Sequence, residues 1–494
     1  MSNKKCIVIG AGASGLATAA QLARKGFTVT VIEKQDKIGG LSNQIQEQGF
    51  TFDTGPTWYL MPEVFETFFS LFGKKPEDYY ELIALDPSYK LFFSKDDHMT
   101  ITRDFKKNAA LFERYEKGAG EKLEKYMADS KFKYEVSLAE FLYKDYNHLT
   151  DFLNKKIMTE GLKLHIFKKL ENFLKKFFKN EKLRRALSFN IVFLGCSPFK
   201  IPALYSLMAH VDFSIGVDFP KGGIYSVIKG IHKMGEELGV EFKLNEEVTS
   251  INVENKKATG VTTVKGTYTA DLVVSSVDMH HSEMNLLDKK HRTYKRRYWE
   301  KRVLAPSVLL IFLGLNKKLK NMEHHSLFLS ENWKEHFAAI FDNPKWPDNP
   351  SYYLGVPSLT DNSFAPEGCE SLYMLVPLAP GLEDTDEVRE KLADDIITHL
   401  ENLIDDSIKD AIVFKELKSQ REFSSINNTY KGTALGLSHT LFQTAYFRPS
   451  HKSKKVKNLF YTGHYTHPGI GLPMVMIASH VTADVIEKSL EKSK

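Results

Sequence analysis

Residues Lys5–Glu33, KCIVIGAGASGLATAAQLARKGFTVTVIE, decide the fold of this chain. Lys5–Ile9 is mostly apolar, as expected of a buried strand, and Thr28–Ile32 is a second run of the same kind. Leu16–Lys25, between them, has the apolar spacing of a helix. A strand, a helix and a second strand of these lengths form a βαβ unit, whose strands lie parallel in one sheet. The N-terminus therefore predicts an α/β protein.

The loop after the first strand has the spacing G-x-G-x-x-G at Gly10, Gly12 and Gly15. In a nucleotide-binding βαβ unit these glycines permit a tight turn, admit a pyrophosphate to the backbone and let the helix pack on the strand. Ser14 lies in the same loop, where the helix N-terminus attracts phosphate. Glu33 ends the second strand, and its carboxylate suits a ribose 2′-hydroxyl but repels a 2′-phosphate. The residues predict a dinucleotide site and leave open whether it binds FAD, binds NAD or is vestigial.

A second glycine-rich stretch follows, with Ile38–Leu41 reading IGGL and Phe52–Thr57 reading FDTGPT. This order resembles the extended fingerprint of glutathione-reductase-like FAD proteins of the amine oxidase and carotenoid desaturase type. The resemblance implies that the cofactor is FAD and that the paired glycines adjoin the flavin side of the pyrophosphate. It assigns cofactor contacts to four residues, which are Gly40, Leu41, Gly55 and Pro56.

The parallel sheet is predicted to resume near residue 220. Phe219–Gly223 reads FPKGG and precedes an apolar helical pattern, after which strand-like runs occupy residues 240–244, 248–253, 258–264 and 272–277. In the family type named above, this element delivers a backbone contact to the adenine, which nominates Val248. A plain arrangement of a helix and a strand meander explains the segment equally well on its own.

The C-terminal region repeats the N-terminal arrangement. Asn458–Gly463, NLFYTG, is strand-like, and THPGIGLP at residues 466–473 opens a helix that runs from Met474 to Ile486. In a flavin fold such a loop places backbone amides and the positive end of a helix dipole against the flavin. By resemblance, Gly463, Ile470, Gly471 and Met474 contact the cofactor.

Together these motifs are similar to the bacterial-type phytoene desaturase family over nearly the whole chain. The resemblance implies an FAD-dependent enzyme with a carotenoid substrate. His464 and Met474 depart from the family pattern, and Trp58-Tyr59 is a bulkier pair than a phytoene enzyme leads us to expect. The departures favour C-3,4 desaturation of a 1-hydroxylated acyclic end group, as in hydroxy-γ-carotene type substrates. Three alternatives stay open: a phytoene desaturase producing lycopene or neurosporene, an amine oxidase, and a non-enzymatic prenyl-lipid carrier.

Four side chains are candidates for the reaction itself. A carotene offers no acidic proton, so a flavin is the natural acceptor of two electrons. Trp58 and Tyr59 follow the G-P-T turn and are predicted to contact substrate beside the flavin. His464 and His467 flank the C-terminal loop and are predicted to move a proton, although hydrogen bonding to the loop backbone explains each equally well. Asp53 is an acid/base candidate, but capping of backbone amides is the favoured role.

The composition excludes several classes of protein. The 67 basic and 62 acidic residues leave a net charge of +5, which does not indicate nucleic acid binding. Cys6, Cys196 and Cys369 match no metal-ligand spacing, and no His/Cys cluster predicts a metal site. The chain has no apolar run of about 18 residues, so we predict no transmembrane helix.

One segment is locally basic and apolar. Asp151–Arg185 holds 11 lysines and arginines against 4 acidic residues. Leu164, Phe167, Leu170, Leu174 and Phe177 recur within it at steps of three and four, with lysines largely between them. The pattern predicts a basic amphipathic helix on an anionic membrane surface, and the alternative is a solvated face over a domain core.

The predicted architecture is a glutathione-reductase-like, FAD-binding Rossmann domain interleaved with a mixed-sheet substrate domain and a helical, membrane-facing insertion. We expect the FAD-binding domain at residues 1–85, 215–290 and 421–494, and the substrate domain at 86–214 and 291–420, with the insertion near 108–190. Residues 307–315 and 371–378 are strand-like. The expected location is cytoplasmic, as a peripheral, monotopic protein at the inner face of the cell membrane, with quinone or oxygen as electron acceptor.

Overall fold

The regular elements lie within residues 4–146 and 163–491, which are the residues that the computed structural model describes. The strands are β1 (Lys5–Ile9), β2 (Thr28–Ile32), β3 (Gln44–Glu47), β4 (Phe50–Asp53), β5 (Leu82–Ala84), β6 (Tyr89–Phe92), β7 (His98–Ile101), β8 (Asp218–Pro220), β9 (Glu241–Lys243), β10 (Val248–Glu254), β11 (Lys257–Thr263), β12 (Thr267–Thr269), β13 (Leu272–Ser275), β14 (Ser307–Leu315), β15 (His325–Phe328), β16 (Tyr352–Gly355), β17 (Glu370–Leu378), β18 (Ile412–Lys418) and β19 (Leu459–Tyr461). The α-helices are α1 (Ala13–Arg24), α2 (Pro62–Ser70), α3 (Phe105–Tyr115), α4 (Ala119–Ser137), α5 (Leu170–Leu174), α6 (Glu181–Ala186), α7 (Leu207–His210), α8 (Ile224–Glu237), α9 (Met279–Met284), α10 (Arg296–Glu300), α11 (Trp333–Phe341), α12 (Asp386–Ile404), α13 (Gln420–Asn427) and α14 (Leu472–Glu491).

The sheet that begins at the N-terminus has five strands in the order β19-β13-β1-β2-β9, and all neighbouring pairs are parallel. The predicted βαβ unit is confirmed. Its helix begins at Ala13 rather than at Leu16, because Gly12 already occupies the N-cap position. Since parallel strands end at one edge of the sheet, the residues that follow β1, β2 and β13 meet there.

Helices cover one face of this sheet and a small sheet covers the other. Cys6 and Val8 of β1 pack with α1, α8 and α14, whereas Ile7 and Ile9 pack with the antiparallel sheet β10-β11-β12. The alternation follows from the two-residue period of a strand. Both faces are therefore buried, as is usual for a parallel sheet.

The strand-like runs predicted after residue 220 are confirmed. The helical pattern that follows FPKGG is α8, the run at 240–244 contains β9, and the next runs contain β10, β11 and β13. Strand β9 joins the edge of the parallel sheet beside β2, and β13 lies on the other side of β1. The parallel sheet therefore combines strands from three separate stretches of the chain.

The second large sheet is mixed and has the order β18-β14-β17-β16-β15-β6-β7. Its neighbours are antiparallel except β15 and β6, which are parallel. The predicted strands at 307–315 and 371–378 are β14 and β17. In β17, Leu372 and Met374 pack with α12, while Tyr373 and Leu375 face a large cavity. This sheet thus forms the cavity wall opposite the parallel sheet.

The predicted amphipathic helix at residues 164–177 is wrong. Residues 163–167 form a turn in which His165 has a φ of 52°, and α5 is only Leu170–Leu174. The N–H of Leu170 donates to the carbonyl of Ile201 at 3.0 Å, so this backbone is tied to a neighbouring turn. Leu170 and Leu174 are buried in the core, but Phe167 is 82% exposed.

The rest of the predicted insertion is helical where it can be described. Helices α3 and α4 precede α5, and α6 follows it. Residues 151–162 of the basic segment lie outside the described residues. In the part of the chain that the structure describes, no helix has both the length and the apolar character needed to cross a bilayer.

Candidate active site

One continuous cavity of about 1000 Å³ is lined by both large sheets. Gly10, Glu33 and Ser276, at the carboxyl edge of the parallel sheet, line one part of it, and Leu310 and Leu375 of the mixed sheet line another. Ligands of open parallel sheets bind outside the carboxyl ends of the strands. The position of the cavity therefore agrees with the dinucleotide site expected from the sequence.

The three glycines of the first loop have different surroundings. Gly10 has a φ of +96°, which favours glycine, and a Cβ on Gly15 would lie 2.1 Å from the carbonyl oxygen of Gly10. Gly12 lines the cavity, and a Cβ built on it would meet nothing within 4 Å. Gly15 thus permits close packing of α1 on β1, while Gly12 keeps open the space in front of the helix N-terminus. A pyrophosphate fits this open space at the N-terminus of a helix.

Glu33 is held in place by backbone N–H groups. Its Oε2 accepts a hydrogen bond from the N–H of Ala11 at 2.7 Å, and its Oε1 accepts one from the N–H of Gln35 at 2.9 Å. Each carboxylate oxygen retains acceptor capacity, and the side chain lines the cavity. The residue fits the predicted ribose-binding role because its carboxylate is fixed beside the glycine loop.

The second glycine stretch packs directly on the first loop. The N–H of Gly39 donates to the carbonyl of Ala11 at 2.9 Å, and a Cβ on Gly40 would lie 3.2 Å from the Cα of Gly12. A Cβ on Gly55 would lie 2.1 Å from the carbonyl oxygen of Leu41, so the G-P-T turn approaches the same stretch closely. Motifs separated in the sequence therefore form one cradle.

Asp53 joins two of the predicted motifs but does not line the cavity. Its carboxyl accepts hydrogen bonds from the N–H of Ile224 at 2.7 Å and from Nε2 of Gln44 at 3.2 Å. Burial raises the pKa of Asp53 to about 7. The carboxyl caps the start of α8, so the structure supports the capping role and gives no support to an acid/base role.

The C-terminal loop completes the cradle. Ile470, Gly471 and Met474 line the cavity at the start of α14. Gly463 lies behind the lining, where its Cβ would be 3.1 Å from Oγ of Ser14, so this glycine permits close approach of the two loops. The C-terminal strand and helix thus lie beside the N-terminal ones, as the sequence predicted.

The two histidines of this loop differ in their contacts. Nε2 of His467 donates to the carbonyl of Phe141 at 2.9 Å. His464 is half-buried at the cavity wall, and neither ring nitrogen has a hydrogen bond among the described residues. Burial lowers the pKa of each histidine to about 4, with Arg448 contributing in both cases. Nε2 of His467 is therefore committed to the backbone, whereas within the described part of the chain the ring nitrogens of His464 stay available to a ligand.

Arg448, which the sequence analysis missed, holds the loop from behind. Its buried guanidinium donates to the carbonyl oxygens of Leu437, Gln443, His464, Tyr465 and Thr466 at 2.5–3.3 Å. Burial lowers the pKa of Arg448 to about 10, so it stays charged at neutral pH. Among the described residues, none of the ion pairs includes it. The Arg448 guanidinium thus fixes the backbone of the predicted flavin loop.

The other end of the cavity suits an adenosine. Val248, the predicted adenine contact, begins β10 and lines the cavity with Lys34 and His281. Residues 426–429, at the end of α13, lie across this end, and Nδ2 of Asn428 is 3.3 Å from Nε2 of His281. No motif pointed to α13, because it is brought here from the far end of the chain.

Trp58 and Tyr59 point in opposite directions. Trp58 lines the cavity and stacks on His325, with ring centroids 4.9 Å apart. Tyr59 is 1% exposed, its hydroxyl lies 2.9 Å from that of Tyr80, and it does not line the cavity. Tyr59 pairs as an isolated bridge with Asp218, so the backbone is extended and successive side chains alternate. The structure therefore gives no support to the predicted substrate contact of Tyr59.

The structure brings most of the predicted site residues to one cavity. The lining includes Gly10, Gly12, Ser14, Glu33, Gly40, Leu41, Gly55, Pro56, Trp58, Val248, His464, His467, Ile470, Gly471 and Met474. Gly15, Gly463 and Tyr59 lie outside it. Ser276, which was missed, follows β13 as Gly10 follows β1, and the edge rule for parallel strands would have found it. Tyr353 and Tyr373 come from the mixed sheet, and no local pattern marks them.

Comparison with known proteins decides the family. The profile of the family described as flavin containing amine oxidoreductase matches residues 13–486. The chain belongs to this family. Within it, the chain is 41% identical to the carotenoid 3,4-desaturase of Haloarcula japonica, over 98% of each sequence. It is 33% identical to the zeta-carotene-forming phytoene desaturase of Myxococcus xanthus, over 97% of this chain and 93% of that protein. These relatives confirm the resemblance seen in the motifs.

A solved structure of low sequence identity has the same fold as this chain. A double mutant of putrescine oxidase matches with a TM-score of 0.64 at 15% identity, covering 99% of each chain. The fold is thus the amine-oxidase-like α/β fold with a mixed sheet. The family is flavin-containing, which confirms the expected FAD, and the open space at Gly12 and the fixed carboxylate of Glu33 fit that cofactor. Residues 4–146 and 163–491 contain no His/Cys/Asp/Glu group suited to a metal ion.

Proposed function

We propose that the protein is an FAD-dependent carotenoid desaturase that forms a C=C bond at C-3,4 of an acyclic, 1-hydroxylated end group. The observation that carries this proposal is the cavity, which joins the dinucleotide cradle to an apolar chamber in one space. A polyene in that chamber would lie against the cofactor. The activity named for the Haloarcula japonica relative supports the position of the double bond.

The reaction breaks C–H bonds on two neighbouring carbons. A hydride leaves one carbon, a proton leaves the other, and the electron pair of the second C–H bond forms the new π bond. FAD supplies the two-electron acceptor for the hydride when it is bound. The chain holds the polyene, excludes water and accepts the proton. His464 is our candidate for the proton acceptor because it lines the cavity, is neutral at pH 7 and has no hydrogen-bond partner on its ring nitrogens among the described residues.

The cofactor contacts are assigned to the cradle. Gly10, Gly12 and Ser14 would hold the pyrophosphate, and Glu33 would hold the ribose. The G-P-T turn and the loop that ends at Met474 would hold the flavin between them, where the N-terminus of α14 would favour negative charge on the cofactor. The supporting observation is that these residues share one cavity.

We also propose that the cavity opens onto a membrane, from which the apolar substrate enters. Phe167, Phe442 and Phe447 line the cavity and are exposed at 82%, 69% and 42%, and we call them the aromatic rim. Exposed aromatic side chains at a cavity mouth are suited to the acyl boundary of a bilayer. Exposed Lys163 and Lys168 flank Phe167, which favours an anionic surface such as the cytoplasmic leaflet. A quinone from that membrane, or oxygen, is the proposed electron acceptor.

The second candidate is a phytoene desaturase producing lycopene or neurosporene, and the Myxococcus xanthus relative favours it. The amine oxidase alternative has support only from the shared fold and the family description. The prenyl-lipid carrier is disfavoured because the glycine loops form one cradle in which the space at Gly12 is open.

Reconstitution separates these candidates. The purified protein, loaded with FAD, is mixed with liposomes that contain phytoene, lycopene or a 1-hydroxylated acyclic carotenoid, with a quinone present. We expect a red shift of the polyene absorption with the hydroxylated substrate and none with phytoene. Conversion of phytoene supports the second candidate, and consumption of oxygen with amines but no carotenoid product contradicts the proposal.

A further inference from the structure

A short basic segment lies beside the aromatic rim. Residues 295–302 read KRRYWEKR, with five lysines or arginines and one glutamate in eight positions. The segment consists of α10, the residue before it and the two residues after it. Because the whole chain has a net charge of only +5, this segment is a strong local excess of positive charge. We call its exposed cations the basic patch, which comprises Lys295, Arg296, Arg297 and Lys301.

Aromatic side chains anchor α10 to the protein. Trp299 is buried, its Nε1 donates to the carbonyl of Tyr294 at 3.2 Å, and its ring centroid lies 5.7 Å from that of Tyr465 in the C-terminal loop. The guanidinium of Arg302 lies 4.6 Å from the ring centroid of Tyr298, which is half-buried. One side of the short helix is therefore fixed against the core, while its other side presents the cations to solvent.

The basic segment ends next to the aromatic rim. Val303 follows it directly, and the N–H of Val303 donates to Oε1 of Gln443 at 2.9 Å, while Nε2 of Gln443 donates to the carbonyl of Val303 at 2.8 Å. Gln443 is the neighbour of Phe442 in the chain, and the ring centroids of Phe442 and Phe447 are 5.6 Å apart. Val303 is itself exposed. The basic patch and the exposed apolar side chains therefore adjoin on the surface.

Most cations of the basic patch have no acidic partner. Arg296 pairs with Glu300 at 2.9 Å, but both side chains are exposed, so water weakens this pair. Within residues 4–146 and 163–491, none of the ion pairs includes Lys295, Arg297 or Lys301. Like charges so close together repel one another, and an uncompensated cluster of this kind attracts an anionic partner.

The neighbouring surface indicates which partner fits. Cations alone suit a lipid headgroup, a nucleic acid or an acidic protein. Exposed aromatic side chains beside them favour the lipid, because a bilayer offers acyl chains next to anionic phosphates. We propose that the basic patch binds anionic phospholipid headgroups and so holds the cavity mouth on the bilayer. The inference rests on the proposed function, in which a carotenoid enters from the membrane.

Lipid charge should then control the delivery of substrate and leave the chemistry unaffected. A carotenoid dissolved in a bilayer reaches only protein that is docked, whereas a carotenoid in neutral detergent micelles requires no anionic headgroup. Salt should weaken docking, because exposed charges separated by more than a Debye length, about 8 Å at physiological ionic strength, are largely screened.

Neutralisation of the basic patch tests the inference. In flotation assays, the full chain is mixed with phosphatidylcholine vesicles that either contain or lack phosphatidylglycerol. We expect wild type to bind the anionic vesicles at least about tenfold more tightly than the neutral ones. The triple variant Lys295→Gln, Arg297→Gln, Lys301→Gln should bind anionic vesicles at least about tenfold more weakly than wild type and neutral vesicles within about twofold of it.

A second triple variant is the matched control. Lys4, Lys74 and Lys320 are exposed, none of them lines the cavity, and within the described part of the chain none is in an ion pair. Lys4 precedes β1, at the amino edge of the parallel sheet, whereas the cavity lies at the carboxyl edge. Replacing these three by glutamine changes the net charge equally and should leave vesicle binding within about twofold of wild type.

Three outcomes of the binding assays overturn the inference. The first is equal binding of wild type to anionic and neutral vesicles. The second is an equal loss in the two triple variants, since net charge rather than position would then decide. The third is a patch variant that keeps its affinity for anionic vesicles, and loss of binding to single-stranded RNA in that variant would identify nucleic acid as the partner instead.

Activity assays separate this inference from the proposed function. FAD-loaded protein is given carotenoid in anionic vesicles and, separately, in neutral detergent micelles. The patch variant should lose at least about tenfold in kcat/KM in vesicles and stay within about twofold of wild type in micelles. An equal loss in both overturns the role in delivery. If wild type binds FAD but desaturates no carotenoid in either system, the proposed function fails, and flotation still decides whether the patch binds lipid.

Discussion

Substituting alanine for two glycines of the first loop should separate folding from FAD binding. A Cβ on Gly12 meets nothing within 4 Å of the protein, whereas one on Gly15 lies 2.1 Å from the carbonyl oxygen of Gly10 and 2.5 Å from Oγ of Ser276. Gly12 has φ −73° and ψ 171°, which alanine adopts without strain. Gly12→Ala should therefore fold normally and fail to bind FAD, because its methyl group occupies the cavity.

The expected magnitudes follow from these contacts. In Gly15→Ala, α1 must move away from β1 until the 2.1 Å contact reaches at least 3.0 Å. Overpacking against backbone costs up to about 3 kcal/mol, and the better helix propensity of alanine offsets about 1 kcal/mol, so we expect a net loss of about 2 kcal/mol. In Gly12→Ala, the weaker N-cap destabilises the folded protein, and the smaller entropy of the unfolded chain offsets this loss. The free energy of unfolding should therefore change by no more than about 0.5 kcal/mol.

Two measurements check both variants. Urea unfolding of the FAD-free proteins gives the free energy of unfolding, and quenching of flavin fluorescence gives the Kd for FAD. When free FAD is 100 times the wild-type Kd, it should raise the free energy of unfolding of wild type by about 2.7 kcal/mol and leave that of Gly12→Ala unchanged. A wild-type Kd in Gly12→Ala, or wild-type stability in FAD-free Gly15→Ala, refutes the reasoning.

Three further predictions concern the rim and the C-terminal loop. Phe442→Ser combined with Phe447→Ser should weaken binding to anionic liposomes roughly tenfold in flotation assays, because two exposed rings are lost. Val413 is exposed but lies away from the cavity, so Val413→Ser should leave liposome binding unchanged. Arg448→Met should weaken FAD binding at least about tenfold by equilibrium dialysis, since five carbonyls lose their donor. The pKa of His467 is lowered to about 4, so the protein should lose stability in acid. Neutral His467 contributes up to about 3 kcal/mol to the free energy of unfolding above pH 6.5, and this contribution is lost as pH falls through 4. In His467→Gln, the urea concentration at the unfolding midpoint should fall less steeply with decreasing pH over that range. The same pH dependence in the variant and in wild type contradicts the role given to His467.

Local patterns in the sequence determined much of the fold. The βαβ unit, the strands near 240–277 and the C-terminal strand and helix were predictable because each is encoded by the period of neighbouring apolar residues and by glycine spacing. The cofactor cradle followed from the same motifs, since glycine positions in a nucleotide loop are fixed by backbone geometry. The residues Gly10 to Glu33 and Gly463 to Met474 needed no knowledge of distant contacts.

Periodicity misled where tertiary contacts override it. Leu170 and Leu174 have helical spacing, but the backbone before them is tied to Ile201, so their segment is a turn and a short helix packed on the core. Trp58 and Tyr59 are adjacent and equally bulky, and only the extended backbone opposite Asp218 decides which of them faces the cavity. No local signal distinguishes these outcomes, because they depend on contacts with residues far away in the chain.

The sequence by itself determined that the chain forms a dinucleotide cradle, because that cradle is built from short loops with strict backbone requirements. Only the tertiary structure decided what faces the cradle. Tyr353 and Tyr373 lie on neighbouring strands of the mixed sheet, and Arg448 reaches the loop from a separate segment. Such residues carry no motif, since their role arises from sheet order and side-chain direction. For that reason the cofactor was readable from the motifs, while the substrate-facing wall needed the structure.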